Sequence, residues 1–168
     1  GKLAAEKYCM VVARELGIRA AALRYFNTYG PGQAFTPYVG VITIFITKLL
    51  AGEPPTIFGD GRQTRDFVSV HDIVGANLLA ADYSGDERIF NIGSGEGRDV
   101  LSIATLLRDR IAPDREICHA EAHAGEIRNS VADISRAQRE LGYVPRGRFE
   151  GEIEGLIALH RASRGHRK

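Results

Sequence analysis

A nearly continuous apolar run that ends in a glycine- and proline-containing loop decides the fold: Ile18-Arg19-Ala20-Ala21-Ala22-Leu23-Arg24-Tyr25-Phe26-Asn27-Thr28-Tyr29-Gly30-Pro31. The part from Ile18 to Tyr25 is typical of a strand that is buried on both faces of a parallel sheet. The part from Asn27 to Pro37 is predicted to be a loop. Because α/β folds bind ligands at the carboxyl ends of parallel strands, this loop is a candidate ligand site.

Helix and strand patterns alternate around this run. Apolar periodicity, caps and glycine stops predict helices over residues 2–16, 39–51, 71–82, 99–111 and 133–141, and a last helix that begins near Phe149. The helix at 99–111 has Asp99 as its predicted N-cap and an apolar stripe of Val100, Ile103, Ala104, Leu107 and Ile111, and Gly142 is predicted to end the helix at 133–141. Short strands are predicted at 56–58, 66–70, 88–92, 115–119 and 127–132. This alternation indicates an α/β fold. Since only two or three strands are convincingly buried, we expect part of a doubly wound sheet.

The composition is that of an ordinary globular domain. The chain has 168 residues, of which 44% are apolar and 26% charged, and its formal net charge is +1. The length predicts one domain with a core of its own. Balanced charge argues against a nucleic-acid-binding protein, and the apolar runs are too short to cross a bilayer. We expect a soluble cytoplasmic protein whose basic stretch Arg161–Lys168 is a frayed terminus.

The cysteines and histidines do not form a recognisable metal or disulfide pattern. Cys9 lies on the apolar side of the first predicted helix, so we expect it to be buried. Cys118, His119 and His123 are close in sequence but lack the second pair of ligands that a zinc site needs. The sequence therefore predicts no metal site.

A second stretch carries the strongest chemical signal: Ile57-Phe58-Gly59-Asp60-Gly61-Arg62-Gln63-Thr64-Arg65-Asp66-Phe67. Phe58 can offer a ring face to a nucleobase, and the planar guanidinium of Arg65 suits a phosphate. Asn27 can offer its amide to a ligand oxygen. Each residue also has a structural reading: a core phenylalanine, a surface ion pair and a turn asparagine. Together they favour a site that holds a diphosphate next to a flat ring.

The glycine-rich segment Gly93-Ser94-Gly95-Glu96-Gly97 is a weaker signal. It follows a predicted strand and precedes a predicted helix, as a dinucleotide-binding loop does. Its spacing is G-x-G-x-G, whereas the fingerprint requires G-x-G-x-x-G. We therefore predict a tight strand-to-helix turn near a ligand.

Matches to one family run in order through nearly the whole chain. They include Gly1-Lys2-Leu3-Ala4-Ala5-Glu6, Leu23-Arg24-Tyr25-Phe26-Asn27-Thr28-Tyr29-Gly30-Pro31, Gly52-Glu53-Pro54-Pro55-Thr56-Ile57-Phe58-Gly59-Asp60-Gly61, Thr64-Arg65-Asp66-Phe67, Phe90-Asn91-Ile92-Gly93-Ser94-Gly95 and Gly125-Glu126-Ile127-Arg128. The sequence resembles the extended short-chain dehydrogenase/reductases, in particular the carboxyl-terminal half of the NAD-dependent epimerases and dehydratases of the UDP-glucose 4-epimerase type. The number of matches makes the superfamily specific, but they leave the sugar open.

The resemblance implies a fold and an activity. Residues 1–168 would form a single unit, the carboxyl-terminal part of a Rossmann-type doubly wound sheet with the small substrate-binding α/β region, and the NAD-binding part would be absent. The intact protein would be an NAD-dependent isomerase of UDP-hexoses. A nucleotide-sugar dehydratase or reductase, and a non-catalytic nucleotide-sugar-binding chain, are the alternatives. The expected partners are a UDP-sugar and either a second copy of the chain or an upstream NAD-binding half.

The resemblance also implies roles for individual residues. Lys2 matches the lysine of the catalytic Tyr-x-x-x-Lys pair, whose tyrosine would lie before Gly1, so this chain alone is expected to be inactive. Lys2 and Tyr25 would border the nicotinamide of NAD. The implied substrate-binding residues are Asn27 and Arg65 at the diphosphate, Thr56 and Phe58 at the uracil with Phe67 nearby, and Glu126 at the ribose. His123 stands where the family often has a phosphate-binding arginine, and Arg128 is a candidate to compensate.

Overall fold

The computed structural model describes residues 1–33, 36 and 39–165, and it has an α/β fold. The elements follow one another as α1 (Lys2–Glu15), β1 (Ala22–Tyr25), β2 (Asn27–Tyr29), α2 (Val41–Leu50), β3 (Thr56–Phe58), β4 (Thr64–Ser69), α3 (Val70–Asp82), β5 (Ile89–Ile92), β6 (Gly97–Asp99), α4 (Val100–Ile111), β7 (Cys118–Ala120), β8 (Asn129–Ser130), α5 (Ser135–Leu141) and α6 (Phe149–Gly165). The predicted alternation of helices and strands is therefore confirmed.

Most strand pairs are parallel, as the apolar patterns predicted. β1 pairs with β5, β2 with β4, β3 with β7 and β4 with β8, all in parallel. β6 pairs with β4 in the antiparallel direction. β4 therefore pairs with three strands, β2, β6 and β8, and is the central strand of its sheet.

The main core lies between β3 and β4 and three helices. Side chains of α2, α4 and α6 pack there, and Phe45, Leu107 and Ile153 are essentially buried. The predicted stripe of α4 is confirmed, since Ile103 and Leu107 face this core. Asp99 caps α4 by accepting a hydrogen bond from the backbone N–H of Ser102 at 2.7 Å, as its position predicted.

A second core lies on the other face of β4. It contains Val68 of β4, Phe90 and Ile92 of β5, and Leu141 and Tyr143 at the end of α5. Alternate residues of a strand point to opposite faces, so Phe67 joins the first core and Val68 the second. β4 is therefore buried on both sides, which is the pattern that the sequence predicted for β1.

Several predictions for the first twenty-five residues are wrong. α1 has the predicted length, but Ala13 is its one buried residue and Cys9 is exposed. The buried strand predicted from Ile18 begins only at Ala22, and Ile18 and Tyr25 are exposed. The physical reason is that β5 is the only strand of the described residues that pairs with β1, so none of them forms a strand on the other edge of β1.

Two further predictions need correction. Asn27–Tyr29, predicted as loop, forms β2, while residues 34, 35, 37 and 38 of that loop lie outside the described residues. The basic stretch from Arg161 was predicted to be frayed, but α6 continues to Gly165; residues 166–168 lie outside the described part. Among the described residues, no helix has the length and apolarity to cross a membrane.

Candidate functional site

A cavity of about 310 Å³ opens beside the end of β3, and we name it the Phe58 cavity. It is bounded by two segments that are distant in sequence, the turn after β3 and the loop after β7. The lining residues are Phe58, Gly59, Asp60, Gln63, Ala122, His123, Glu126 and Arg128. Four residues implied by the resemblance are therefore brought to one place: Phe58, His123, Glu126 and Arg128.

The pairing of β3 with β7 positions both segments. Phe58 lies opposite Ala120, and the backbone N–H of Gly59 donates to the carbonyl oxygen of Ala120 at 2.9 Å. The ring N–H of His119 donates from Nδ1 to the carbonyl oxygen of Gly59 at 2.8 Å. These contacts fasten the start of the 121–128 loop to the turn after β3.

The turn after β3 depends on glycine. Gly61 has φ +76°, a left-handed conformation in which a side chain is strained, and a Cβ there would lie 2.9 Å from Leu101 Cβ. Gln63 ends this stretch and donates from Nε2 to the carbonyl oxygen of Phe58 at 3.0 Å. The backbone next to Phe58 is thus fixed by a side chain that is itself buried.

The aromatic ring of Phe58 is in contact with an imidazole. Phe58 is 42% exposed, and His123 stacks on it with ring centroids 4.1 Å apart and an interplanar angle of 29°. A half-exposed ring of this kind can stack on a flat group, as expected for a nucleobase site, but here an imidazole already lies against one of its faces.

The charges at the cavity are arranged in two ion pairs. Arg128 donates to both carboxylate oxygens of Asp60, at 2.8 and 3.0 Å. This bidentate contact, together with the backbone N–H of Arg62, lowers the pKa of Asp60 to about 2, and Asp60 in turn raises the pKa of Arg128. Asp60 is therefore ionised over the whole physiological range of pH.

Arg65 makes the second ion pair. Its Nη2 donates to Glu126 Oε1 at 3.0 Å and its Nη1 to the carbonyl oxygen of Thr64 at 2.8 Å. The side chain of Arg65 is 17% exposed, so the strand and the loop hold it in one orientation. Arg65 reaches the Phe58 cavity through its contact with Glu126.

A second cavity, of about 400 Å³, lies at the ends of β1 and β2, and we name it the Lys2 cavity. Its lining consists of Lys2, Tyr25, Phe26, Asn27, Thr28, Tyr29, Gln33, Gly40, Val41, Ile42 and Phe67. Lys2 makes no ion pair with any residue that the structure describes. The Tyr25 hydroxyl donates to Asn77 Oδ1 at 2.9 Å, which orients the half-exposed ring.

β4 connects the two cavities. In the β2–β4 pair Asn27 lies opposite Phe67, and Arg65 is two residues before Phe67 on the same face of the strand. Residues two apart in a strand are separated by about 6.5 Å. Asn27 lines the Lys2 cavity and Arg65 pairs with Glu126 of the Phe58 cavity, so these two residues implied at the diphosphate lie on one side of the sheet but next to different cavities.

Two of the implied uracil residues are placed differently from Phe58. Phe67 is buried, lines the Lys2 cavity and packs near Phe149, with ring centroids 6.1 Å apart. Thr56 accepts a hydrogen bond at Oγ1 from Lys48 Nζ at 2.9 Å, and the Phe58 cavity does not include it. Thr56 still shares a strand face with Phe58, because the two are separated by one residue.

The glycine-rich segment after β5 is organised by Asp66. The buried carboxylate of Asp66 accepts hydrogen bonds from the backbone N–H groups of Ser94, Gly95 and Ala132, and from the Ser94 hydroxyl. A Cβ on Gly93 would lie 2.5 Å from Asp66 Oδ2, so the turn must be glycine there. Because Asp66 already uses these N–H groups, the segment is a structural turn, in agreement with its spacing.

The sequence analysis missed several residues that shape the site. Asp60 fixes Arg128, Asn77 orients Tyr25, and Asp66 holds the turn after β5. Only Asp60 had a usable signal, since an acidic residue between two glycines is typical of a tight turn. Among the described residues, no group of three or more histidine, cysteine or acidic side chains is placed to hold a metal.

Comparison with known proteins supports one family. Residues 1–93 match the family model described as the NAD dependent epimerase/dehydratase family. The chain is 35% identical to the UDP-glucose 4-epimerase of Mycolicibacterium smegmatis, over 86% of this chain and 46% of that protein. It is 32% identical to the dTDP-4-dehydro-6-deoxyglucose reductase of Escherichia coli, over 93% of this chain and 49% of that protein.

A solved structure agrees with these relatives. The crystal structure of UDP-glucose 4-epimerase with UDP-glucose from Thermotoga maritima superimposes with a TM-score of 0.90 at 38% identity. The match covers 96% of this chain and 52% of that one. The chain spans about half the length of each of these relatives.

Proposed function

The chain belongs to the NAD-dependent epimerase/dehydratase family, and from this premise we propose that it is the substrate-binding part of a UDP-sugar 4-epimerase. One observation carries the proposal: a half-exposed aromatic ring, a histidine and Arg128 line the Phe58 cavity, and a second arginine, Arg65, pairs with the Glu126 of its lining. This combination suits a nucleoside diphosphate, because a ring stacks on the base and guanidinium groups bind the phosphates.

The nucleotide would extend from Phe58 at the end of β3 to Arg65 on β4. Phe58 would stack on the uracil, with Thr56 on the same strand face and Phe67 further along. Arg65, Arg128 and His123 would contact the diphosphate together with Asn27. Glu126 would accept a hydrogen bond from a ribose hydroxyl.

The ion pairs at the cavity fit this proposal. Each arginine uses some of its five N–H donors on a carboxylate, Arg65 uses a further one on the carbonyl oxygen of Thr64, and the rest can bind a ligand. An entering diphosphate would compete for the same forks. The Arg128–Asp60 pair is exposed, and since exposed ion pairs contribute about 0–1 kcal/mol, exchanging it for a contact with a charged phosphate costs little.

The residues of the Lys2 cavity fit a nicotinamide ribose. The cavity combines a cationic side chain, a half-exposed phenol ring and an amide, which can hold hydroxyls and a flat ring. When bound, NAD would accept a hydride from the sugar and return it to the opposite face. Lys2 would hold the ribose, and its positive charge would lower the pKa of the family's catalytic tyrosine.

The catalytic tyrosine is not among the tyrosines of this chain. None of the residues Tyr8, Tyr25, Tyr29, Tyr38, Tyr83 and Tyr143 is followed by lysine four positions later. We therefore expect these 168 residues alone to leave UDP-glucose unconverted in the presence of NAD⁺. Turnover in a coupled spectrophotometric assay would contradict this.

A second candidate function is reduction or dehydration of a nucleotide sugar. The reductase from E. coli favours it, because its similarity covers more of the chain than that of the M. smegmatis epimerase. The two functions predict different nucleotides, since that reductase is named for a dTDP-sugar. Tighter binding of dTDP than of UDP would favour the second candidate.

Nucleotide binding without chemistry is the third candidate. The coupled turnover assay, applied to the full-length protein, would favour this candidate if UDP binds but UDP-glucose is not converted.

We also propose a place and a partner for this function. Nucleotide-sugar conversion belongs to carbohydrate metabolism, and the sequence prediction of a cytoplasmic location stays a prediction. A groove of about 530 Å³ runs beside β1 and is lined in part by the small residues Ala20, Ala21, Ala80 and Ala81. This groove and the edge of β1 on which no described strand pairs are suited to a partner, either an NAD-binding half or a second copy.

Calorimetric titration with UDP tests the proposed function. Arg65→Ala is expected to weaken binding by about ten- to a hundredfold, as for a charge-assisted hydrogen bond of about 1.5–3 kcal/mol. The control is Arg108→Ala, because Arg108 also forms an ion pair but lies on α4 and pairs with its neighbour Asp109. Equal affinities of the two variants would remove Arg65 from the site.

A further inference from the structure

The turn from His123 to Glu126 touches both surfaces that the proposed nucleotide needs. The backbone N–H of Glu126 donates to the carbonyl oxygen of His123 at 3.3 Å, and Gly125 has φ +79°, so these four residues form a tight turn. One end of the turn stacks on Phe58 and the other end pairs with Arg65.

The contact of His123 with Phe58 occupies a face of the ring on which the proposed base could stack. With ring centroids 4.1 Å apart, Phe58 and His123 are already in contact, and no flat group fits between them. A base that uses this face of Phe58 requires the imidazole to leave, because two stacked layers need about twice the spacing of one.

The contact of Glu126 with Arg65 occupies the place of the proposed phosphate. The Glu126 carboxylate accepts from Arg65 Nη2 at 3.0 Å, which is the kind of contact that a phosphate oxygen makes with arginine. The carboxylate therefore occupies the position at Arg65 that an anionic ligand would take. The imidazole occupies the position at Phe58 that a flat ring would take.

We propose that the His123–Glu126 turn is a displaceable occupant of the nucleotide site, closed in the free protein and opened by the ligand. This inference rests on the proposed nucleotide site. The imidazole of His123 lies where the base would bind, and the carboxylate of Glu126 lies where a phosphate would bind. Because one short turn carries both side chains, displacing either side chain weakens the contact of the other.

The surroundings of the turn allow this movement. Residues 121–129 are all exposed, so the turn is attached to the molecule mainly by its two end contacts. The segments on either side are fastened, by the bond from Gly59 to Ala120 before the turn and by the pair of Arg128 with Asp60 after it. The turn can therefore open between two fixed points.

If the turn is either closed or open, the phosphate part and the nucleoside part of the ligand should each strengthen the binding of the other. Pyrophosphate displaces Glu126 and so raises the fraction of molecules in which the Phe58 face is free. Uridine, which has no phosphate, then binds more tightly, because its apparent affinity scales with that fraction.

Titration with uridine, followed by NMR in the presence and absence of pyrophosphate, tests the proposal. In the wild-type chain, pyrophosphate is expected to tighten uridine binding by roughly two- to tenfold. His123→Ala is expected to tighten uridine binding by a similar factor without pyrophosphate, and pyrophosphate then adds nothing. Glu121→Ala is the control, since Glu121 lies in the same loop outside the cavity lining, and it should behave like the wild type.

Each other outcome overturns the inference. If His123→Ala binds uridine as weakly as the wild type or more weakly, the imidazole does not compete with the base. If pyrophosphate leaves uridine binding to the wild type unchanged, the two ends of the turn are not linked. If UDP binds and requires Arg65 while these results are negative, only this inference fails; if neither UDP nor uridine binds, the proposed function fails with it.

Discussion

The Phe58 cavity and the Lys2 cavity differ in how completely the described residues build them. The Phe58 cavity is backed by the main core and its arginines are paired with carboxylates. The Lys2 cavity is bordered by α1, which buries one residue, and by the half-exposed Tyr25. Nucleotide binding can therefore be tested in this chain by itself, because packing fixes the border of the Phe58 cavity more completely than that of the Lys2 cavity.

The largest effect is expected at Asp66, because it lies between the residues that serve the two cavities. Asp66→Ala leaves four hydrogen-bond donors without their charged acceptor, three of them backbone N–H groups. The free energy of unfolding in denaturant should fall by about 3–4 kcal/mol. The control Asp99→Ala, which removes one capping bond, should cost about 1 kcal/mol. Equal losses would contradict the central position of Asp66.

The exposed side of the Lys2 region should cause association. Leu3, Tyr8 and Val11 are mostly exposed on one face of α1, and such apolar surface favours contact with another protein. Light scattering at high concentration should give a mass above that of the monomer, and the double substitution Leu3→Ser with Val11→Ser should lower it. Leu159→Ser, an exposed leucine on α6, is the control. If the wild-type chain is a monomer at all concentrations, the exposed apolar side chains of α1 do not cause association.

The smallest effect concerns pH and the core behind the Phe58 cavity. Burial lowers the pKa of His160 on α6. Below pH about 6.5 the unfolded chain binds a proton that the folded chain resists, so the free energy of unfolding should fall as the pH drops from 7 to 5. His160→Gln should reduce this slope only slightly, because the side chain is only half-buried. An unchanged slope in denaturant titrations would contradict the assignment.

The sequence predicted well what depends on local pattern. The ranges of α4 and β3, the cap at Asp99 and the stop at Gly142 follow from periodicity and end signals over a few residues. The burial of β1 and α1 could not be predicted in the same way, because an apolar pattern says that a face can be buried but not that a neighbour is present.

The site was predictable in its residue types but not in its contacts. Phe58 and Arg65 were selected because stacking and phosphate binding need those side chains. That Arg65 pairs with Glu126 and Arg128 with Asp60 depends on the β3–β7 and β4–β8 pairings, which bring together residues about sixty positions apart. Short polar strands such as Asn129–Ser130 carry no apolar periodicity that would reveal this pairing.

The most direct test of the account compares the dissociation constants of UDP for Phe58→Ala and Lys2→Ala, measured by calorimetry. Loss of base stacking is worth about 1–3 kcal/mol, so Phe58→Ala should bind UDP at least fivefold more weakly than the wild type. Lys2→Ala should leave the constant unchanged, because Lys2 is proposed to hold the nicotinamide ribose, a group that UDP does not carry. Weaker binding by Lys2→Ala with unchanged binding by Phe58→Ala would contradict the assignment of the nucleotide to the Phe58 cavity.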